Sequence, residues 1–271
     1  MKHHFFTILL LSIIATSCAQ TEEAFTWPNG SKSAITLTYD DGLPSHINIV
    51  APSLKKHHFK ASFFPTLSSP SLYNDMDKWR NLVTQGHELG NHTMYHPCQK
   101  SQAGMEWVQD HHDLDNYTIQ QISQEIKLAN TFLLAIDGKN TRTFAYPCAH
   151  FFAGGENYKQ VVASQFVAAR GSSETQNHLI KPTHIDLFNV PSWAPNNHQA
   201  DQLIAYIKNI IQQETYSTFT FHGIGAEYMT VSVEAHEEML QFLDANRDKI
   251  WVATFQEVTA YLKSKRNSTE N

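Results

Sequence analysis

From residue 34 to the C-terminus, short runs of β-branched and aromatic residues alternate with longer stretches in which apolar side chains recur every three or four positions. The short runs predict strands at 34–39, 60–65, 88–92, 141–146, 165–170, 218–222 and 250–254. The longer stretches predict helices at 47–57, 75–85, 118–136, 157–164, 200–214, 233–246 and 255–263. In the clearest of these, Ile119, Ile122, Ile126, Ala129 and Leu133 keep one face apolar. Strand followed by helix, repeated about seven times, implies an α/β fold on a parallel sheet, either open or closed as a barrel. No Pro- or Gly-rich linker divides the series, so residues 32–263 read as one domain followed by a polar tail at 264–271.

One segment breaks the alternation. Residues 99–116 are polar, carry Trp107 and the run His111-His112-Asp113, and have no strand or helix pattern of their own. Long loops in compact domains are usually functional or disordered, and this one reads as a rim over the site or, alternatively, as a solvated surface loop.

The N-terminus has a different logic. Lys2 precedes an apolar run from Phe5 to Ala15, too short to span about 30 Å of hydrocarbon, and the small residues Ala15-Thr16-Ser17 lead into Cys18. Residues 1–17 read as an export signal of lipoprotein type, Cys18 as the lipidated residue and 18–31 as a tether. This predicts an exported protein of the cell envelope, periplasmic or on the outer membrane, that meets the membrane only through its lipid. In that oxidising compartment Cys98 and Cys148 are expected to pair.

Composition removes one class of partner. With 26 acidic and 20 basic residues the formal net charge is −6, and no basic stripe could neutralise a phosphate backbone, so nucleic-acid binding is not expected. The 16 histidines direct attention to metal and proton chemistry.

Three strings then stand out. Leu37-Thr38-Tyr39-Asp40-Asp41-Gly42 ends an apolar strand in two carboxylates. Gly86-His87-Glu88-Leu89-Gly90-Asn91-His92-Thr93-Met94-Tyr95-His96-Pro97 holds His92 and His96 four apart, so that a helical turn or a tight loop can aim both rings at one point. Thr218-Phe219-Thr220-Phe221-His222-Gly223-Ile224-Gly225 ends another apolar strand in a histidine. All three clusters fall at the C-terminal ends of predicted parallel strands, the edge at which α/β barrels gather their chemistry.

In this order the three strings resemble the first, second and fifth signatures of the polysaccharide deacetylase family (carbohydrate esterase family 4), and the likeness runs over roughly residues 32–263. The resemblance implies a single-domain distorted barrel of seven or eight β/α units. It implies Asp41, His92 and His96 as ligands of a divalent transition metal, zinc being the expected one, with Asp40 as catalytic base and His222 as catalytic acid. The implied reaction is hydrolysis of an N- or O-acetyl group on a carbohydrate, with three protein ligands leaving a metal position open for water.

The remaining signatures are altered. Thr141-Arg142-Thr143-Phe144-Ala145-Tyr146-Pro147-Cys148 is similar to the third, but Ala145 stands where the family has an arginine that orients the catalytic aspartate. Arg142 lies three residues too early, and Arg170, at the tip of the next predicted strand, is the expected substitute. Tyr146 and Pro147 are expected to contact substrate; Trp193 reads either as an apolar wall for the acetyl methyl or a sugar face or as plain core, and Asp186 is a candidate to orient His222. The altered signatures leave room for a carbohydrate-binding lipoprotein with little or no activity. Hydrolysis of a non-carbohydrate amide is a further alternative. Two histidines and a carboxylate also suit a non-haem iron oxygenase, against which the extra proton-transfer pair Asp40 and His222 argues.

Overall fold

In the computed structural model, residues 25–171 and 179–269 are described; the leader and Cys18 lie outside them. The central strand is β1 (Ser33–Asp40), buried along its whole length. It pairs in parallel with β9 (Tyr216–Phe221) on one side. On the other it pairs with β10 (Ile250–Val252) near its start and β2 (Ser62–Phe64) near its end. β3 (Glu88–Leu89) extends the sheet beyond β2, and β8 (Ser192–Trp193) extends it beyond β9. A second parallel pair joins β4 (Phe144–Ala145) to β7 (Ala169–Arg170), and β5 (Phe152–Ala153) with β6 (Glu156–Asn157) forms a small antiparallel hairpin.

Among the described residues eight α-helices flank these strands: α1 (Ala51–Lys56), α2 (Pro70–Asn74), α3 (Met76–Thr84), α4 (Ile119–Asp137), α5 (Lys159–Ala163), α6 (Ala200–Gln213), α7 (Val233–Asp244) and α8 (Phe255–Thr269). The α/β class, the parallel pairing and the seven predicted strand positions agree with the sequence pattern. The expected barrel forms less completely. Only single bridges, Asn91 to Phe144 and Arg170 to Val190, link the β4–β7 pair to the strands on either side among the described residues.

The period of two in β1 and β9 sorts the interior. Ile35, Leu37, Tyr39, Phe219 and Phe221 face the helices and join Ile207, Leu240 and Leu243 in the main core. The alternate positions Thr36, Thr38, Asp40, Thr218 and Thr220 are also buried and line a polar inner face. There the Tyr216 hydroxyl bridges Thr36 Oγ1 (3.1 Å) and Thr218 Oγ1 (2.7 Å). α4 starts on a reciprocal cap between Thr118 and Gln121 and stops at Gly138, whose φ of 68° needs no Cβ.

The ends of the domain differ from the sequence reading. The expected tether enters the description at Phe25, and Trp27, 2% exposed, packs among Tyr216, Trp251 and Tyr261. An indole buried against three aromatic rings is core, so the last residues of 18–31 belong to the domain. α8 likewise continues through Thr269 into the expected polar tail. Among the described residues no helix is long and apolar enough to cross a membrane.

Candidate metal centre and active site

The C-terminal ends of the strands open on one cleft of about 990 Å³. Asp40 closes β1 and Asp41 follows it with φ of 73°, a left-handed turn that an aspartate tolerates better than most residues. That turn separates the two adjacent carboxylates. Asp40 stays on the inner face, where Nη2 of Arg170 donates to its Oδ2 and Nη1 of Arg170 donates to Thr220 Oγ1. Asp41 turns to the histidines.

The His92–His96 segment is a tight loop. Gly90 lets the chain pass over Phe64, where a Cβ would lie 2.1 Å from the ring. The Asn91 side chain ties the loop to α4 by donating to Ile126 O (3.0 Å) and Asn130 Oδ1 (2.8 Å), while its own oxygen accepts from Thr93 N (2.8 Å). Thr93 (φ 66°) and His96 (φ 55°) are both left-handed. Non-glycine residues rarely adopt this conformation, and its clustering with Asp41, Cys148 (52°) and Ala149 (58°) marks a place where packing overrides backbone preference.

The result is a cluster of three candidate ligands. Asp41 Oδ1 lies 3.5 Å from Nε2 of His92 and 3.5 Å from Nε2 of His96. His92 Nδ1 donates to the Ala145 carbonyl (2.8 Å), so that ring carries its proton on Nδ1 and presents the Nε2 lone pair to the cluster. Burial lowers the His92 pKa to about 4, which keeps the ring neutral. Burial would raise the Asp41 carboxyl, but His96, His92, His222 and the Tyr228 hydroxyl outweigh it and hold it down at about 2. Asp41 Oδ1 itself is buried with no hydrogen-bond partner. An ionised, unsatisfied oxygen facing two imidazole nitrogens suits a divalent transition metal, and the N₂O donor set fits zinc among others.

His222, directly after β9, brings its Nε2 to 3.7 Å from Asp41 Oδ2. Its carbonyl accepts from Nε2 of the buried His46 (2.9 Å), a proton position set by Leu43 N donating to His46 Nδ1 (3.2 Å). Tyr228, from the loop after His222, donates to Asp41 Oδ2 at 2.7 Å. Burial first, and then the Asp41 carboxylate, raise this phenol above its ordinary range. Sequence reasoning missed Tyr228, because nothing local marks a contact across 187 residues.

Asp40, Asp41, His92, His96, Arg170 and His222 all line the cleft, as do Tyr146, Cys148 and Ala149. Pro147 is buried and is not among the cleft-lining residues. Trp193 faces elsewhere. It pairs in register with Phe219, shares that residue's helix-side face, and stacks on Tyr206 of α6 at 4.1 Å, while its neighbours Ser192 and Ala194 reach the cleft. Strand alternation therefore makes Trp193 a packing residue. Asp186 is exposed and accepts from Phe188 N (2.9 Å), whereas His222 Nδ1 is buried without a partner. Arg142 is committed to Asp137 (2.9 Å) and the Leu89 carbonyl (2.7 Å).

Cys98 and Cys148 form a disulfide, and Cys98 Sγ lies 3.5 Å from His96 Nδ1. The second His/Cys grouping, His96 with Cys98 and Cys148, therefore offers no thiolate to a metal. The bridge anchors the start of segment 99–116, whose Gly104, Met105 and Trp107 line the cleft.

The polysaccharide deacetylase profile matches residues 27–165, half of the chain, and the protein belongs to that family. Among curated proteins it is 25% identical over 265 residues to a gellan lyase of a Bacillus species, covering 88% of this chain and 10% of that protein. The chain spans less than half the length of the curated relatives it matches. Among solved structures it is similar to the peptidoglycan deacetylase PdaC of Bacillus subtilis (TM-score 0.52, 17% identity, 88% of this chain and 95% of that one). It is also similar to BA3943 of Bacillus anthracis, a pseudoenzyme of carbohydrate esterase family 4 (TM-score 0.51, 17% identity, 84% and 66%). At these identities the structural likeness is one of fold.

Proposed function

We propose that the protein is a metal-dependent hydrolase that removes N- or O-linked acetyl groups from a carbohydrate, working in a distorted barrel of the family type. The observation that carries this is the convergence of Asp41, His92 and His96 beside the Asp40–Arg170 pair and His222. The three ligands would hold zinc or a similar ion, which when bound supplies a Lewis acid for water activation and carbonyl polarisation. Asp40, oriented by Arg170, has its free Oδ1 to accept the proton of the attacking water. His222 delivers a proton to the departing nitrogen or oxygen, without which an amide nitrogen is a very poor leaving group. Tyr146, Ala149, Met105 and Trp107, which all line the cleft, would wall the space for the acyl group and sugar. Export and lipid attachment at Cys18 are part of this reading, supported by the leader sequence and by a disulfide suited to an oxidising compartment.

A second reading, a carbohydrate-binding protein with weak or absent catalysis, also has support. His222 Nδ1 lacks a partner to orient the ring as an acid, and a pseudoenzyme shares the fold. A panel of acetylated oligosaccharides, assayed with one equivalent of zinc for acetate release and for binding, separates the two. Release supports the hydrolase; binding of a glycan without release from any member of the panel supports the second reading.

A further inference from the structure

Tyr228 is half exposed at the cleft mouth (52%), yet its hydroxyl reaches the carboxylate at the heart of the cluster. The loop that carries it is built to do this. Gly223 N donates to Tyr228 O (3.1 Å), Val231 N to Gly223 O (3.0 Å), Gly225 N to Val231 O (2.8 Å) and Asn197 N to Thr230 O (2.8 Å). Ser45 N donates to Glu227 Oε1 (3.2 Å), tying the loop to the turn that follows Asp41. Gly223 admits the Ala226 carbonyl where a Cβ would lie 1.9 Å from it. The residues on either side of Tyr228 are both left-handed, Glu227 at φ 62° and Met229 at φ 46°, a strain that persists only where surrounding contacts over-determine it.

We propose that Tyr228 is a positioning residue for the metal ligand Asp41. By donating to Oδ2 it fixes the rotation of the carboxylate, so that Oδ1 alone faces His92 and His96. Without the phenol, Asp41 can rotate toward His222, whose Nε2 already lies 3.7 Å from Oδ2. Partners of this kind, which hold ligands rather than the ion, typically change metal affinity by about 10- to 100-fold when removed. The inference rests on the metal-site reading above.

Zinc affinity of the metal-free chain, measured by competition with a chromophoric chelator, tests it in the wild type, Tyr228→Phe and Tyr228→Ala. The expected result is that Phe, which keeps the ring and loses only the hydroxyl, weakens zinc binding at least 10-fold and nearly as much as Ala, with melting temperature and circular dichroism of the metal-free protein unchanged. Phe within twofold of wild type overturns the proposal, and if Ala alone weakens binding the ring acts only by packing. A wild-type chain that binds no zinc overturns the metal-site reading itself, and this proposal with it.

Discussion

Arg170 and Asp40, 130 residues apart in sequence, form a buried ion pair through Nη2 and Oδ2, and the guanidinium reaches Asp40 from the strand beside the one on which the family carries its arginine. β4 and β7 pair in register, Ala145 opposite Arg170, so a side chain from β7 can occupy space that Ala145 leaves open.

Removing this arginine leaves a carboxylate buried without its counter-charge. Arg170→Ala should destabilise the fold by about 3–5 kcal/mol. Misplacing the base should also lower kcat about 100-fold. Chemical denaturation and initial-rate kinetics check both; a loss of kcat under threefold removes the orienting role.

Trp193 makes the opposite prediction. Because it stacks on Tyr206 away from the cleft, Trp193→Ala should cost about 3 kcal/mol in stability, the scale of a large aromatic lost from a core, while KM stays within twofold of wild type. A raised KM with an unchanged melting temperature would restore it to the substrate site.

The disulfide closes a loop of 50 residues between Cys98 and Cys148. In the chain-entropy account such a loop stabilises by about 4 kcal/mol. Cys98→Ser with Cys148→Ser should lower the melting temperature accordingly and weaken zinc binding, because the sulfur beside His96 Nδ1 and the covalent tie to the left-handed turn at Cys148 are both lost. Thermal melts and zinc titration of the double variant test this.

Acid should unfold the protein early. Burial lowers the pKa of His46, His87 and His236 to about 4, whereas in the unfolded chain these rings titrate near 6.5. The unfolded state therefore binds more protons between those values, and the stability present above pH 6.5 is lost as pH falls toward 4, by up to about 3 kcal/mol for each ring. Denaturation of the metal-free protein from pH 7 to 4 should show this fall, and a flat profile across that window would contradict it.

Strand alternation and the three signature strings made much of the site legible from sequence. Asp40 ends, and Asp41, His92, His96 and His222 follow, strands whose C-terminal ends share one cleft, and the parallel order alone brings such ends together. Arg170 was within reach because it also ends a strand. What was not legible depends on loop conformation and on faces. Tyr228 reaches Asp41 only through left-handed residues on either side of it that no local pattern announces, and the two-residue strand carrying Trp193 is too short to reveal its alternation. Trp27 was hidden for a different reason: its polar, Gly-containing neighbours suggest a tether, and the burial of the ring depends on Tyr216, Trp251 and Tyr261, all far along the chain.

The most direct measurement is acetate release from an acetylated oligosaccharide by the chelator-treated protein, followed as zinc is added up to one equivalent, alongside Asp41→Asn. Activity absent without metal, rising to a plateau at one zinc per chain and missing in Asp41→Asn is the predicted result. Equal release with and without metal, or full activity in Asp41→Asn, would contradict the account.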